Sequence, residues 1–304
     1  MKRISNASLK SYTTFQLGGP CPLLIDCETP YELQTTLKFI DGTPFILIGG
    51  GSNLVVSDSG INTVVIRYVS ATPLIERQGN DVFVSASTIL DDLALYCVDE
   101  GLEGLNYTTG IPGTVGGAVV GNAGAWGKQV GDVLKSAAIL DQQGNSKEVD
   151  NDYFGFQYRH SRLKETNEIV SSVIFSLKPG DPVSLAQERA DILKKRAEKH
   201  PDLTTHPCAG SFFRNIEPTS KADRRQAAGG FLEDAGGKNL RVGGASIFDK
   251  HANIIIKGPN CTSQDVYDLH LKMIEIVKDK FNLQLNREVR FVGPFRDQKH
   301  EGFW

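Results

Sequence analysis

The stretch Gly110–Gly127, GIPGTVGGAVVGNAGAWG, constrains this chain more than any other. Seven of its eighteen residues are glycine and none carries a charge. Glycine at this density loses the most backbone entropy on folding and weakens both helices and strands. A folded chain that keeps it needs left-handed turns, or bare backbone N–H groups set close against something large. Unpaired amides at a turn form an anion-binding concavity, which suits a diphosphate. A second stretch, Gly49-Gly50-Gly51-Ser52-Asn53, follows the apolar run Phe45–Ile48. Two such loops point to a ligand with a long phosphate-bearing body. Neither loop is G-x-G-x-x-G or ends in G-K-[ST], which disfavours the common nucleotide folds.

The 304 residues exceed what one core usually holds and predict two or three domains. A net charge of −3 with a pI near 6.1 argues against nucleic acid or an anionic membrane surface as partner. No apolar run approaches the ~18 residues of a membrane span. The basic start MKRISNASLKSYTT lacks the apolar segment of a signal peptide, so none is expected. Five cysteines, with no C-x-x-C pair, suit a reducing compartment, and the cytoplasm is the expected location. His251 has no partner at i+4, and no metal site is legible.

Periodicity and breakers divide the chain into units at 1–68, 69–199 and 200–304. In the first, Thr29-Pro30 opens a helix to Ile40, and Phe45–Ile48 and Thr63–Tyr68 are strands. In the second, strand Asp81–Ser87 precedes a helix Leu90–Asp99 closed by Gly101. Ala137–Leu140 and Ser146–Val149 flank a turn at Gln142–Asn145, and Glu168–Leu177 is rich in strand formers. Ser184–Lys199 reads as a helix with a solvated charged face, ended by His200-Pro201. The third unit should hold helices at Lys221–Ala235 and Gln264–Phe281, and strands at Asn253–Lys257 and Glu288–Val292. Thr262 and Asp265 resemble a capping box before the long helix, whose Val266, Leu269, Met273, Val277 and Phe281 repeat at three or four. The tail Lys299–Trp304 is expected to be loosely held.

Chemistry has few candidates. Arg159, within Tyr158-Arg159-His160-Ser161, carries a planar fork able to clamp a carboxylate or diphosphate, or is a plain surface arginine. Ser211, between Gly210 and Phe212-Phe213, would sit on a tight, dry turn where a hydroxyl can give up a proton. The motif G-x-S-x-G is absent, so it is no nucleophile elbow. Glu288 is either functional or merely ion-paired.

Taken in order, these stretches resemble the UDP-N-acetylenolpyruvoylglucosamine reductase, or MurB, family. The resemblance rests on Tyr12–Phe15 with Gly18-Gly19, GGGSNLVVSDSG from Gly49, the Gly110–Gly127 stretch and Tyr158–Ser161. It continues through Ala209–Asn215, Arg241–Ala245, His251–Asn253 and Arg287–Gly293. It implies an α+β fold. The first two units would form an FAD-binding module of the vanillyl-alcohol-oxidase type, and the third an α+β substrate-binding domain whose tail returns toward the FAD module. It further implies non-covalent FAD, NADPH as reductant, UDP-N-acetylglucosamine enolpyruvate as substrate, and a monomer. Ser211 aligns with the family's proton donor, and Arg159 and Glu288 with the residues that hold the carboxylate and stabilise the intermediate. Gly49, Gly50, Gly51, Ser52, Asn53 and Leu54 would face the pyrophosphate. Ile111, Pro112, Gly113, Thr114, Gly116, Gly117, Ala118, Asn122 and Gly124 would run along the flavin. Trp126, Tyr158, Arg214, Asn215 and Asn253 match substrate contacts.

The chain departs from the family pattern at Trp126, where tyrosine is usual, at Gln16, where a basic residue is common, and at Ile216. The short segment between Arg159 and His200 resembles the branch without an extra closing loop. Two other readings stand beside this one: an FAD oxidase of the same superfamily, and an inactive UDP-sugar-binding regulator.

Overall fold

The computed structural model describes residues 1–218 and 224–296. The expected loose tail from Lys299 lies outside them. Three sheets organise the chain. In the first, Lys2–Ser8 runs antiparallel to Pro20–Cys27, which pairs parallel with Val64–Tyr68, itself parallel to Phe45–Ile48. The second is antiparallel, in the order Ser146–Asp150, Leu134–Leu140, Ile169–Ser176, Asp81–Ser85, Ile75–Gln78. The third places Cys208–Ser211 beside His251–Lys257, then Ala245–Phe248 and Arg241–Val242. The class is α+β, as the resemblance implied.

Helix Pro30–Ile40 starts where Thr29 Oγ1 accepts the Glu32 N–H at 3.2 Å, and it buries Leu33, Leu37 and Ile40. Those residues join Ile25 and Ile66 of the first sheet and Val82, Val84, Val173 and Phe175 of the second in one continuous core. The first two sheets are therefore welded. A separate core forms where helix Ser263–Phe281 lays Val266, Leu269, Met273 and Val277 against the third sheet. Its capping box is complete: Thr262 Oγ1 accepts the Asp265 N–H at 3.1 Å, and Asp265 accepts the Thr262 N–H at 2.9 Å. The chain then returns, and Arg290–Val292 pairs parallel with Leu54–Val56.

Several boundaries differ from expectation. The glycine stretch contains a helix, Val115–Gly121, capped by Thr114 and ended by Asn122 in the left-handed region. Burial of Val115, Ala118 and Val119 outweighs the glycine penalty, and a Cβ at Gly116 would lie 3.1 Å from the Ala86 carbonyl. The helix expected from Lys221 covers only Ala228–Asp234 among the described residues, and the last strand starts at Arg290 rather than Glu288. Helix Pro182–Lys199 begins earlier than expected because Asp181 caps it, accepting the Ser184 N–H at 2.9 Å. Strands Lys2–Ser8 and Pro20–Cys27 escaped the sequence reading. The first is a mostly exposed edge, without the alternation that marks a half-buried strand. No helix among the described residues is long and apolar enough to cross a membrane, and no group of metal-ligating side chains occurs among them.

His270 is sealed in the second core, 3 % exposed, its ring against Tyr267 and Phe291 and its Nδ1 bonded to the Tyr267 carbonyl. Burial drives its pKa down from 6.5 to about 4. Between those values the unfolded chain binds a proton that the folded chain refuses. The contribution to stability is therefore intact above pH 6.5 and lost as pH falls through 4, by about 3 kcal/mol in all. His270→Phe should flatten the pH dependence of the unfolding free energy across that window, as measured by urea titrations at stepped pH.

Candidate active site

The two glycine loops meet backbone to backbone. A Cβ on Gly49 would lie 2.5 Å from Thr114 Oγ1, one on Gly50 3.0 Å from Gly113 Cα, and one on Gly113 2.8 Å from Ser52 Oγ. Ser52 Oγ donates to the Pro112 carbonyl at 3.0 Å and fastens the contact. Gly51 has φ +62°, and a Cβ there would sit 2.1 Å from the Tyr12 carbonyl oxygen. Thr14 Oγ1 in turn donates to the Cys208 carbonyl at 2.7 Å, tying this corner to the third sheet. Among the described residues, the amides of Gly50, Gly51, Ser52 and Asn53 donate to no protein acceptor.

These loops form part of the wall of a cavity of about 680 Å³, within the usual range for cofactor and ligand sites. Gly49–Leu54, Ile111–Thr114, Gly116–Ala118 and Gly124 line it, together with Arg159, Ser211 and Glu288. Its lining also includes Asn167, whose Oδ1 is buried without a hydrogen-bond partner, an acceptor left for a ligand.

Each polar side chain of the reactive end is held by a different element. Arg159 sits in a tight turn closed by reciprocal bonds between Gln157 and His160, both 3.1 Å, and adopts φ +55°. That position of a turn favours glycine or asparagine, so an arginine there is strained by roughly 1–2 kcal/mol. Its Nη2 donates to the Gly124 carbonyl at 2.7 Å and its Nε lies 3.1 Å from Glu288 Oε1. Glu288 arrives on the returning segment, where its N–H donates to the Phe212 carbonyl at 2.8 Å and its carbonyl accepts Asn53 Nδ2 at 3.1 Å. Ser211 ends the strand Cys208–Ser211, one residue before Phe212, so the same pairing brings Ser211 and Glu288 to one cavity.

Glu288 is pushed above the usual carboxylate range by burial, against the pull of Arg159, Lys164 and Arg214. Lys164, also in the lining, is brought down to about 8 by burial first and then by Arg290 and Arg214. Burial, with Arg214 beside it, lowers Arg290 too.

Six of the expected site residues lie outside the lining. Asn122 spends its amide within the protein: Nδ2 donates to Gln129 Oε1 and the Gln157 carbonyl, both at 2.9 Å, and Oδ1 accepts the Gly131 N–H at 3.0 Å. Asn253, buried, staples the backbone of Phe213 through both ends of its amide, at 3.0 and 2.8 Å. These two asparagines shape the site from behind. Trp126 is 58 % exposed in the hairpin Gly124–Gln129, with the Arg196 guanidinium 5.5 Å from its ring. Tyr158 accepts the Asn215 N–H at 3.2 Å and lies under Arg225, and Arg214 keeps a buried Nε without a partner. Asn215 is exposed.

The sequence reading missed Lys164, Asn167 and Arg290. Arg290 had a signal, since residues i and i+2 of an extended segment share a face and Glu288 was already a candidate. Lys164 and Asn167 had none, because a short polar segment reads as solvated surface.

A family model for the FAD binding domain matches residues 22–150, and one for the C-terminal domain of UDP-N-acetylenolpyruvoylglucosamine reductase matches 201–292. The reductase of Carboxydothermus hydrogenoformans is 36% identical over 301 residues, covering 96% of each chain. The enzyme of Alkaliphilus oremlandii is 34% identical, covering 94% of this chain and 91% of its own. This chain belongs to the UDP-N-acetylenolpyruvoylglucosamine reductase family. The crystal structure of the Thermus caldophilus member superposes with a TM-score of 0.78 at 30% identity, over 96% of this chain and 98% of that one. FAD, the cofactor of this family, fits the residues present, which offer free loop amides, glycines admitting backbone-close approach and an orphaned acceptor.

Gly51→Ala should destabilise the protein by about 2 kcal/mol or more, since it adds left-handed strain to a clash with backbone. Gly79→Ala, equally left-handed at φ +63° but with nothing within 4 Å of its Cβ, separates the two terms when midpoints of thermal unfolding are compared.

Proposed function

We propose that this chain reduces UDP-N-acetylglucosamine enolpyruvate to UDP-N-acetylmuramate, with FAD bound non-covalently and NADPH as the reductant. The observation that carries the reading is the convergence of Arg159, Ser211 and Glu288 on the cavity walled by both glycine loops. When bound, FAD would supply the hydride chemistry, relaying the reducing equivalent of NADPH to C3 of the enolpyruvyl group. The loop amides of Gly50–Asn53 hold the pyrophosphate, and Ile111–Ala118 with Gly124 back the flavin.

The polar residues act on the substrate. Hydride addition drives negative charge onto the enolpyruvyl carboxylate, and Arg159, already fixed by Gly124 and Glu288, stabilises that charge more than it stabilises the ground state. Ser211 gives its hydroxyl proton to C2. Glu288, displaced toward its neutral form by burial, avoids repelling the developing charge and orients the proton source. Tyr158, Arg214, Asn215 and Trp126 lie outside the cavity and contact the nucleotide-sugar beyond it, where Trp126 replaces a hydroxyl with stacking or its single N–H. The enzyme acts in the cytoplasm, a reading supported by five buried, unpaired cysteines, and as a monomer.

Anaerobic absorbance decides the matter. NADPH should bleach the flavin band, and the enolpyruvyl substrate should restore it. Recovery with oxygen alone would indicate an oxidase, and a band that never bleaches a binding protein. In Ser211→Ala, reduction by NADPH should persist within a few-fold while reoxidation slows by about 10²–10⁴. Equal losses in both half-reactions would reduce Ser211 to a shaping role.

A further inference from the structure

Lys164 is unaccounted for by the roles assigned above. It stands on a one-turn helix, Leu163–Thr166, that begins directly after the Arg159 turn and faces the cavity. Its Nζ donates to the carbonyl oxygen of Arg159 itself, at 2.6 Å. That carbonyl belongs to the residue held at φ +55° without the freedom of glycine. The turn is docked elsewhere by Asn122 Nδ2 on the Gln157 carbonyl and by Ser161 Oγ on the Val120 carbonyl, at 2.9 and 2.8 Å. Those bonds fix its two ends. Among the described residues, the Lys164 bond is the one made to the backbone of the strained residue itself, distinct from the guanidinium contacts with Gly124 and Glu288.

We propose that Lys164 is a positioning residue: its half-buried ammonium locks the left-handed Arg159 backbone so that the guanidinium is presented, preset, to the substrate carboxylate. The inference rests on the reductase reading for its consequence, and on geometry alone for the lock. An arginine left to relax from the strained conformation would carry its guanidinium off Glu288, and misplacement of about 1 Å is enough to slow a reaction 100-fold. A lysine buried among cations is otherwise hard to account for. Arg159 faces it from the turn, Glu288 and Arg290 from the returning segment, and Arg214 from the segment after the first strand of the third sheet, with one carboxylate among them. Burial first, then Arg290, Arg214 and Arg159 against the opposing pull of Glu288, bring its pKa to about 8. The charged, gripping form is therefore present below pH 8 and lost above it, well short of the 10.5 of a free lysine.

The full-length, FAD-loaded protein tests this with Lys164→Met and Lys164→Arg. In Lys164→Met, FAD affinity and reduction by NADPH should stay within a few-fold of the parent, while reoxidation by the enolpyruvyl substrate slows about 10- to 100-fold. The parent's reoxidation should decline above pH 8. Lys164→Arg, whose charge persists, should restore most of the rate and move that decline upward. Independently of turnover, the Arg159 Nε–H resonance, assigned with Arg159→Lys, should be resolved and slow to exchange in the parent and in Lys164→Arg. In Lys164→Met it should collapse toward the average of mobile arginines. Parent-like reoxidation and an unmoved Nε–H signal in Lys164→Met would overturn the proposal, as would equal losses in FAD binding and both half-reactions. Should the parent itself fail to be reoxidised, the reductase reading falls while the resonance still decides whether Lys164 holds Arg159.

Discussion

The contact between Gly49–Gly51 and Ile111–Thr114 is the constraint on which the rest of the architecture depends. The two loops approach until a Cβ at Gly49 or Gly113 would overlap a hydroxyl of the other loop, and one at Gly50 would press on the Gly113 backbone. Such proximity removes side chains from one wall of the cavity and leaves peptide dipoles there instead. The amides of Gly50–Asn53 reach no protein acceptor among the described residues and border the cavity, which makes that wall a set of ready donors for an anionic group. Gly51, wedged on the Tyr12 carbonyl, transmits the same contact to the N-terminal segment and, through Thr14, to Cys208 of the third sheet.

Charge governs the other end. Glu288 is the single carboxylate among the charged groups that act on Lys164, the others being Arg159, Arg214 and Arg290, and Arg159, Lys164 and Arg214 in turn act on Glu288. Its ion pair with Arg159 does not make it a strong anion, since burial outweighs the cations and raises its pKa. The cluster thus retains excess positive charge in a half-buried place, a standing attraction for an anionic substrate group. An arginine already bonded to Gly124 and Glu288 also has little left to reorganise when that anion arrives.

What the sequence made legible follows from how local each cause was. Helix Pro30–Ile40 was marked by Thr29-Pro30, and helix Ser263–Phe281 by Thr262, Asp265 and an apolar stripe, all short-range signals. The loop walls were legible because glycine this dense is tolerated only where backbone must come close to backbone or to a ligand. The helix Val115–Gly121 was not, since its stability comes from packing of Val115, Ala118 and Val119 against partners distant in sequence. Asn122 and Asn253 show the complementary limit. Their motifs belong to the site, but the side chains are consumed by Gln157, Gly131 and Phe213, and only three dimensions separate a residue that shapes a site from one that touches a ligand. Lys164 was hidden for the same reason: nothing in Arg162–Asn167 distinguishes a buried ammonium from a solvated one.

The returning segment lets two independently cored parts yield one site. Arg290–Val292 adds to Leu54–Val56, immediately after the first glycine loop, so a strand from the far end of the chain is registered to that loop. Arg290 N–H donates to the Asn53 carbonyl at 3.0 Å, and Asn53 Nδ2 donates to the Glu288 carbonyl at 3.1 Å, a reciprocal clasp across more than two hundred residues. The other side of that segment zips to Phe212 and Phe213, which carry Ser211 with them. Ser211 and Glu288 are therefore positioned relative to the glycine loop chiefly by main-chain bonds, with Asn53 Nδ2 as the one side-chain arm of the clasp. Main-chain register tolerates little drift, so the end of the cavity that carries Ser211 and Glu288 keeps a fixed placement relative to the loop wall.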